Sequence, residues 1–304
     1  MTSATGRVLV TGASGCVGRA AISKLAADGW EVHAVSRTEI PKARGVTWHE
    51  ADLLDPAVPR TVVAAIAPTH LLHLAWYIGP GRWASAPENL AWVRASLALV
   101  DAAAEAGCRR IVGAGSCLEY DWSFGYCSEA RTPLAPHTLY GACKLAVGNL
   151  IAAYAPIRNI SSAWGRIFFL YGPHEHPDRL VPSVIRSLLA GDEARVSHGR
   201  QIRDYLYVAD VGDALVTLLG SDVQGAVNIG SGEPVALKEI VLTIARLIDR
   251  EDLVRLGAIP AAATDTPIVV ADTTRLAEDV GWTRRTTLES GLRETIEWWR
   301  RSGN

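Results

Sequence analysis

The sequence holds little of what marks secreted, metal-binding or membrane-spanning chains. Its five cysteines, Cys16, Cys108, Cys117, Cys127 and Cys143, are an odd set with no CxxC pair and no Cys/His ligand spacing, so free thiols and no metal site are expected. No apolar run approaches the roughly 18 residues of a membrane-spanning helix. The opening MTSATGRVLVTG has no basic stretch leading into a long apolar core. The expectation is a cytoplasmic protein with no membrane partner. A net charge of -2 leaves no general positive field for nucleic acid, so any phosphate is bound locally. Internal repeats and low-complexity tracts are missing as well.

What remains is an ordinary globular composition: 304 residues, 49% apolar and 20% charged, enough for one large domain or two unequal ones. The first half alternates short β-branched runs with longer amphipathic stretches. Strands are predicted at Arg7–Thr11, Glu31–Ser36, Val46–Glu50, His70–Leu74 and Arg110–Ala114, each apolar on both faces. Helices are predicted near Cys16–Asp28, Pro56–Ile66, Pro87–Ala106 and Thr138–Tyr154. This alternation points to an α/β fold with a doubly wound parallel sheet of Rossmann type, whose ligands bind at the carboxyl ends of the strands. The sheet domain is expected over 1–165, with a smaller C-terminal substrate-binding lobe made mainly of 166–304. Within that second part, short helices are predicted near Val181–Ala190 and Leu237–Asp249, with an Ala-rich connection at Ala258–Ala263. Strand-then-helix at Tyr205–Leu219 and a strand at Val227–Ile229 predict a return to the first sheet at about 204–229.

The first strand runs into Thr11-Gly12-Ala13-Ser14-Gly15-Cys16-Val17-Gly18, a GxxGxxG loop at the mouth of a helix. Glycines there permit positive φ, close approach of a pyrophosphate and tight helix–strand packing, while the helix start offers unpaired N–H donors. The alternative is a tight turn that binds nothing. At the end of the second strand an acidic residue would bind a ribose 2′-hydroxyl and select NAD. Here stand Ser36 and Arg37, a pair suited to a 2′-phosphate, so NADP is favoured over NAD. Asp52 follows the third strand and is placed to accept from an adenine amino group.

Ser116 ends Gly113-Ala114-Gly115-Ser116, and Tyr140 and Lys144 sit four apart at the start of a long helix. At that spacing they share a helical face, so the ammonium is expected to lower the Tyr pKa from about 10 and make Tyr140 an acid–base near neutrality. Ser116 would hold the same substrate oxygen.

With these motifs in hand, the chain resembles the extended short-chain dehydrogenase/reductase family, which holds nucleotide-sugar epimerases, dehydratases and reductases. TGASGCVG resembles its cofactor loop, Leu71 to Ala75 its fourth strand, and Ser116 with YGACK its active site. RIFFLYGP (Arg166 to Pro173), Arg203-Asp204-Tyr205 with Val208, and Asn228-Ile229-Gly230 resemble its later motifs. The resemblance implies Ser116, Tyr140 and Lys144 as catalytic residues. It implies a cofactor lined by Gly12, Ser14, Gly15, Cys16, Val17, Gly18, Ser36, Arg37, Asp52, Leu53, Leu74, Ala75, Trp76, Tyr140, Lys144 and Phe169. It further implies a nucleotide-sugar substrate touched by Trp76, Ser116, Cys117, Tyr140, His174 and Arg203, the last on the diphosphate, and a homodimer built on the Ala- and Leu-rich helices.

The reaction is narrowed by what stands before Tyr120. Relatives that dehydrate carry Asp-Glu where this chain has Cys117 and Leu118, so elimination lacks its proton carriers. Glu119 is one position off and is expected to point elsewhere. Hydride exchange at one carbon remains. Ser36 and Arg37 tip it toward net reduction of a nucleotide-linked 4-keto-6-deoxy sugar, with 4-epimerisation through bound NAD and a non-catalytic dinucleotide sensor as alternatives. Two further departures border the sugar pocket: Trp92 where the family has Asn, and Asp121 where it has Gly. With Trp76, Tyr77, Trp83 and Trp122 they suggest an aromatic wall for stacking on sugar faces, or ordinary packing.

Overall fold

The structure is a computed structural model, and it describes residues 6–37, 45–79, 81–261 and 266–303. In chain order it runs β1 (Arg7–Thr11), α1 (Cys16–Ala27), β2 (Glu31–Ser36), β3 (Val46–Glu50), α2 (Val58–Ile66), β4 (His70–His73), α3 (Glu88–Glu105) and β5 (Arg110–Ser116). There follow β6 (Tyr126–Cys127), α4 (Leu139–Tyr154), β7 (Ser161–Ile167), β8 (Phe169–Tyr171), α5 (Leu180–Ala190), β9 (Ala194–Val196), β10 (Ile202–Tyr207) and α6 (Val208–Gly220). The chain closes with β11 (Gly225–Ile229), β12 (Pro234–Ala236), α7 (Leu237–Ile248), β13 (Val254–Leu256), β14 (Ile268–Ala271), α8 (Thr274–Glu278) and α9 (Leu288–Ser302). Part of the Ala-rich connection expected at Ala258–Ala263 lies outside the described residues.

Seven parallel strands form the main sheet in the order β11-β7-β5-β4-β1-β2-β3. This is a doubly wound order, and it reverses beside β1, which pairs with β2 on one side and β4 on the other. Ligands of such sheets bind in the crevice at that reversal, above the carboxyl ends of the strands. The loops after β1, β4 and β5 all open there.

Apolar side chains on both faces explain why the central strands are buried: Val8, Leu9, Val10, Leu71, Leu72, Ile111 and Val112 are almost wholly enclosed. The third strand departs from the expectation. Among the described residues VTWHE is an edge strand paired only with β2, and none of its five residues is fully buried. An edge strand has one neighbour instead of two, so its outer side takes polar His49 and Glu50 without cost.

A second sheet, β12-β10-β14-β6 with β8 added on β10, and the small β13-β9 pair carry the later part of the chain. Helices α5, α7 and α9 share a separate core there, around Ile185, Leu188, Ile240, Ile244, Leu292 and Ile296. Of the segment expected to rejoin the first sheet, β10 lies in the second sheet, α6 packs on the main sheet's core and β11 pairs with β7 at its edge. No helix among the described residues is long and apolar enough to cross a membrane.

Candidate active site

The glycine loop closes over the end of β1. Gly12 has φ +68, and a Cβ there would lie 2.6 Å from Ala75 N, so the turn needs glycine both for its conformation and for the approach of the Leu74–Ala75 backbone. A Cβ on Gly18 would run into the Gly12 carbonyl. Gly15 is different. A Cβ there would meet only Gly12 O, at 3.4 Å, and Ser14 and Gly15 are both exposed. Packing within the chain does not require that glycine, whereas a phosphate seated on the loop would. Helix α1 starts from Gly15 with no side-chain cap and no acidic residue in its first turn, leaving the partial positive charge of its N-terminus uncompensated. These residues fit the pyrophosphate of a dinucleotide.

Cys16 and Val17 form the first turn of α1 and are half-buried; burial pushes the Cys16 thiol up to about 11, so it stands beside the loop as a neutral thiol. Behind the loop, Thr11 Oγ1 lies 2.7 Å from His73 Nδ1 and His73 Nε2 lies 2.8 Å from Ser96 Oγ. Burial draws His73 down to about 3, so the neutral ring ties β1, β4 and α3 together. At the far end of the crevice Ser36 is buried at the end of β2 and Arg37 is exposed after it. Asp52 is exposed and accepts from Leu54 N at 3.0 Å, while Leu53 is buried.

Ser116 ends β5 and starts a single 3₁₀ turn over Cys117–Glu119, with its hydroxyl accepting from Leu118 N at 3.2 Å. Tyr140 comes from the first turn of α4, which Thr138 caps through Gly141 N at 3.0 Å. Gly141 is what lets the two meet, because a Cβ there would strike the Leu118 carbonyl. Ser116 stands near enough to Tyr140 to favour the ionised phenol. Lys144, one turn further, is buried; its Nζ donates to Ala114 O at 2.8 Å and stands 4.0 Å from the centroid of the Trp76 ring. Burial pulls the ammonium down to about 7, against the attraction of Glu119.

The expected lowering of Tyr140 by Lys144 is not what the structure has. Burial, then the charge of Glu119, pushes the phenol above its ordinary value, while Ser116 and Arg179 oppose them. The ammonium is 5.7 Å from the phenol ring's centroid and directed to the β5 carbonyl. Resident Tyr140 is therefore a neutral phenol, a proton donor.

Aromatic rings enclose this group. Trp83 packs edge-on against Tyr140 with centroids 4.8 Å apart, Trp76 does so at 6.2 Å, and Trp92 stacks behind Trp76. Asn89 locks the enclosure: its Oδ1 accepts from Trp76 Nε1 and its Nδ2 donates to the Trp83 and Ala86 carbonyls, each at 2.8 Å. Tyr140 N donates to Ala84 O at 2.9 Å, so the 81–87 segment is fastened to α4 itself.

Some expected site residues gather elsewhere. Arg203 is buried in β10, its guanidinium 5.5 Å from Phe169 and 5.9 Å from Trp122. Phe169 thus packs with Arg203 and Trp122. Asp204 accepts from Ser231, Gly232 and Ala271. Cys117 is buried in a small core with Cys127, Phe168 and Val269. His174, at φ +65, is exposed and packs on Trp298, 4.7 Å between centroids. Cys117 is near enough to act on the Tyr140 phenol, whereas the His174 ring packs against Trp298.

Sequence reasoning missed three features. Glu119 turns inward and is fully buried, its Oε1 accepting from Ser116 N at 2.8 Å and Trp164 Nε1 at 2.9 Å, its Oε2 paired with Arg166 Nε at 2.7 Å. Gly113 and Gly115 leave room for the Trp164 indole over β5. Arg179 lies over Trp83. The only signal in the sequence was a charged residue inside an apolar motif.

Residues 8–230 match the model of the NAD dependent epimerase/dehydratase family. A dTDP-glucose 4,6-dehydratase of Xanthomonas campestris is 32% identical over 178 residues, covering 55% of this chain and 51% of the relative. The chain spans about half the length of such dehydratases. A UDP-glucose 4-epimerase of Mycolicibacterium smegmatis is 28% identical over 313 residues, covering 97% of this chain and 98% of the relative. A solved structure of MoeE5 in complex with UDP-glucuronic acid and NAD is 32% identical, with a TM-score of 0.86, covering 98% of this chain and all of the other.

Proposed function

The chain belongs to the NAD dependent epimerase/dehydratase family, and on that premise we propose that it is a nucleotide-sugar 4-epimerase acting through Tyr140. The observation that carries this is the placing of Ser116 beside Tyr140, with Lys144 one turn away, next to a glycine loop that leaves room for a pyrophosphate. Reversible oxidation at one carbon needs one acid–base and one holder for the same oxygen, and no second proton carrier. Cys117 and Leu118 supply none, which speaks against elimination. The epimerase of matching length and the NAD complex of MoeE5 support epimerisation with NAD.

When bound, the dinucleotide supplies the hydride acceptor and donor. Tyr140, once its phenol has given up its own proton to solvent, would take the proton of the 4-hydroxyl as the ketone forms and return it to the same oxygen after the sugar has turned its other face. Ser116 holds that oxygen, and Lys144, while protonated, lowers the cost of the phenolate. The aromatic enclosure of Trp76, Trp83 and Trp92 excludes water from the transfer. Exposed Leu90 on α3 and Leu150 on α4 support the pairing of two copies through these helices.

A second reading, net reduction of a nucleotide-linked 4-keto sugar with NADPH, is favoured by two observations: the neutral Tyr140 phenol and the exposed Arg37 at the end of β2. One assay separates them. Interconversion of UDP-glucose or UDP-glucuronate with its 4-epimer, with no cofactor consumed, supports the epimerase; stoichiometric NADPH oxidation by a 4-keto sugar supports the reductase. Absence of both with dinucleotide bound contradicts both and leaves the sensor.

A further inference from the structure

Arg179, a cation in the cleft, makes no hydrogen bond or ion pair through its side chain among the described residues. The Arg179 guanidinium lies 5.0 Å from the centroid of the Trp83 ring, and Trp83 packs against Tyr140, so the charge stands two ring contacts from the phenol. Its field reaches that phenol, on which it acts in the lowering direction. Arg179 is half-buried. The neighbouring acid, Glu175, is drawn down by Arg179, but burial outweighs that attraction. Glu175 is pushed up to about 8 by burial, so at neutral pH it is mostly protonated, and its Oε2 is buried with no partner.

Arg179 is also the N-cap of α5, an 11-residue helix with no acidic residue in its first turn. The helix N-terminus adds its partial positive charge to the guanidinium's. A guanidinium lying on an indole face keeps its N–H edge for a planar anion with two oxygens. Another guanidinium, Arg203, is on a separate wall with Trp122 and Phe169.

We propose that Arg179 recognises a carboxylate on the carbon next to the reacting centre, so that the substrate class is a nucleotide-activated uronic acid. The inference rests on the assignment of Tyr140 to the sugar's 4-position. In a pyranose the exocyclic C6 hangs from C5, beside C4, and it is the nearest position able to carry an acid. A 6-deoxy sugar would put a methyl group there and leave a partly desolvated charge without a counter-ion, which is costly. A C6 carboxylate completes it.

UDP-glucuronate and UDP-glucose share nucleotide and diphosphate and differ at C6, so the pair isolates the contact. With the full chain, kcat/KM is measured for each, and Kd for each by quenching of tryptophan fluorescence. The wild type is expected to favour UDP-glucuronate by about tenfold or more in both ratios, the scale of a charge-assisted hydrogen bond. Arg179→Met should bring both ratios toward one, with the loss in KM, and Arg179→Lys should recover part. Thermal melts establish that the variants are folded; should Arg179→Met not fold, the wild-type ratios and Arg179→Lys decide. Equal wild-type affinities overturn the proposal, as does an Arg179→Met that weakens both sugars equally, since Arg179 would then hold the diphosphate. Arg179-dependent preference in binding with no turnover of either sugar would leave this inference standing and sink the reaction assignment instead.

Discussion

Lys144 Nζ lies 4.0 Å from the centroid of the Trp76 ring, and Trp76 is fixed in turn through its indole N–H to Asn89. The ammonium has an indole face on one side and the Ala114 carbonyl on another. Cation–π contact and a charge-assisted hydrogen bond favour the charged form, yet burial outweighs them and draws the group down to about 7.

A pH dependence of stability follows. In the unfolded chain Lys144 titrates near 10.5, so between about 7 and 10.5 the unfolded state holds a proton that the folded state has released. Stability then rises with pH across that window, and below it the folded state carries the full penalty of a buried charge. Urea unfolding from pH 7 to about pH 9 should show wild type gaining on Lys144→Met, which lacks the group. A constant difference between the two proteins would mean that Lys144 titrates normally in the fold.

The glycine loop separates folding from binding. Gly15 has φ -71, and a Cβ there would meet only Gly12 O at 3.4 Å, so Gly15→Ala should leave stability within about 0.5 kcal/mol of wild type. Its methyl would project into the cradle, and NAD affinity should fall by about tenfold or more, measured by titration. Gly18→Ala should lose both, because its Cβ overlaps the Gly12 carbonyl.

Glu119 and Arg166 form a buried pair at 2.7 Å with side chains 0% and 5% exposed. Glu119→Leu strands the guanidinium and should cost about 3–5 kcal/mol in urea unfolding. Glu119→Gln keeps an acceptor for Ser116 N and Trp164 and should cost less. Equal costs would assign the effect to packing.

Much of this was legible in the sequence, for reasons visible in particular elements. β1, β2 and β3 fall at the expected residues because β-branched runs bounded by turn residues leave little choice. β5 runs two residues further than expected, to Ser116, because Gly115 reads as a loop residue until Trp164 is seen lying over it. The strands of the second sheet, two to six residues long, are too short for any periodicity to mark most of them. The grouping of Ser116 with Tyr140 followed from the motifs. Arg179 on Trp83 did not, because contacts between distant segments leave no local pattern. Nor did the direction of the Tyr140 shift, which depends on burial that helix spacing cannot report.

Cofactor choice tests the reading of β2. Arg37→Asp should weaken binding of NADP relative to NAD, with the ratio of the two affinities as the measure. An unchanged ratio would leave Arg37 a surface cation.

The central claim is that Tyr140 moves the proton while hydrogen leaves and returns at C4. The most direct measurement follows UDP-hexose deuterated at C4, by NMR, with wild type and Tyr140→Phe and no added cofactor. The prediction is an equilibrium of 4-epimers that both keep deuterium at C4, formed about two to four decades more slowly by Tyr140→Phe at undiminished NAD affinity. Deuterium lost to solvent, or near-normal turnover by Tyr140→Phe, would contradict it.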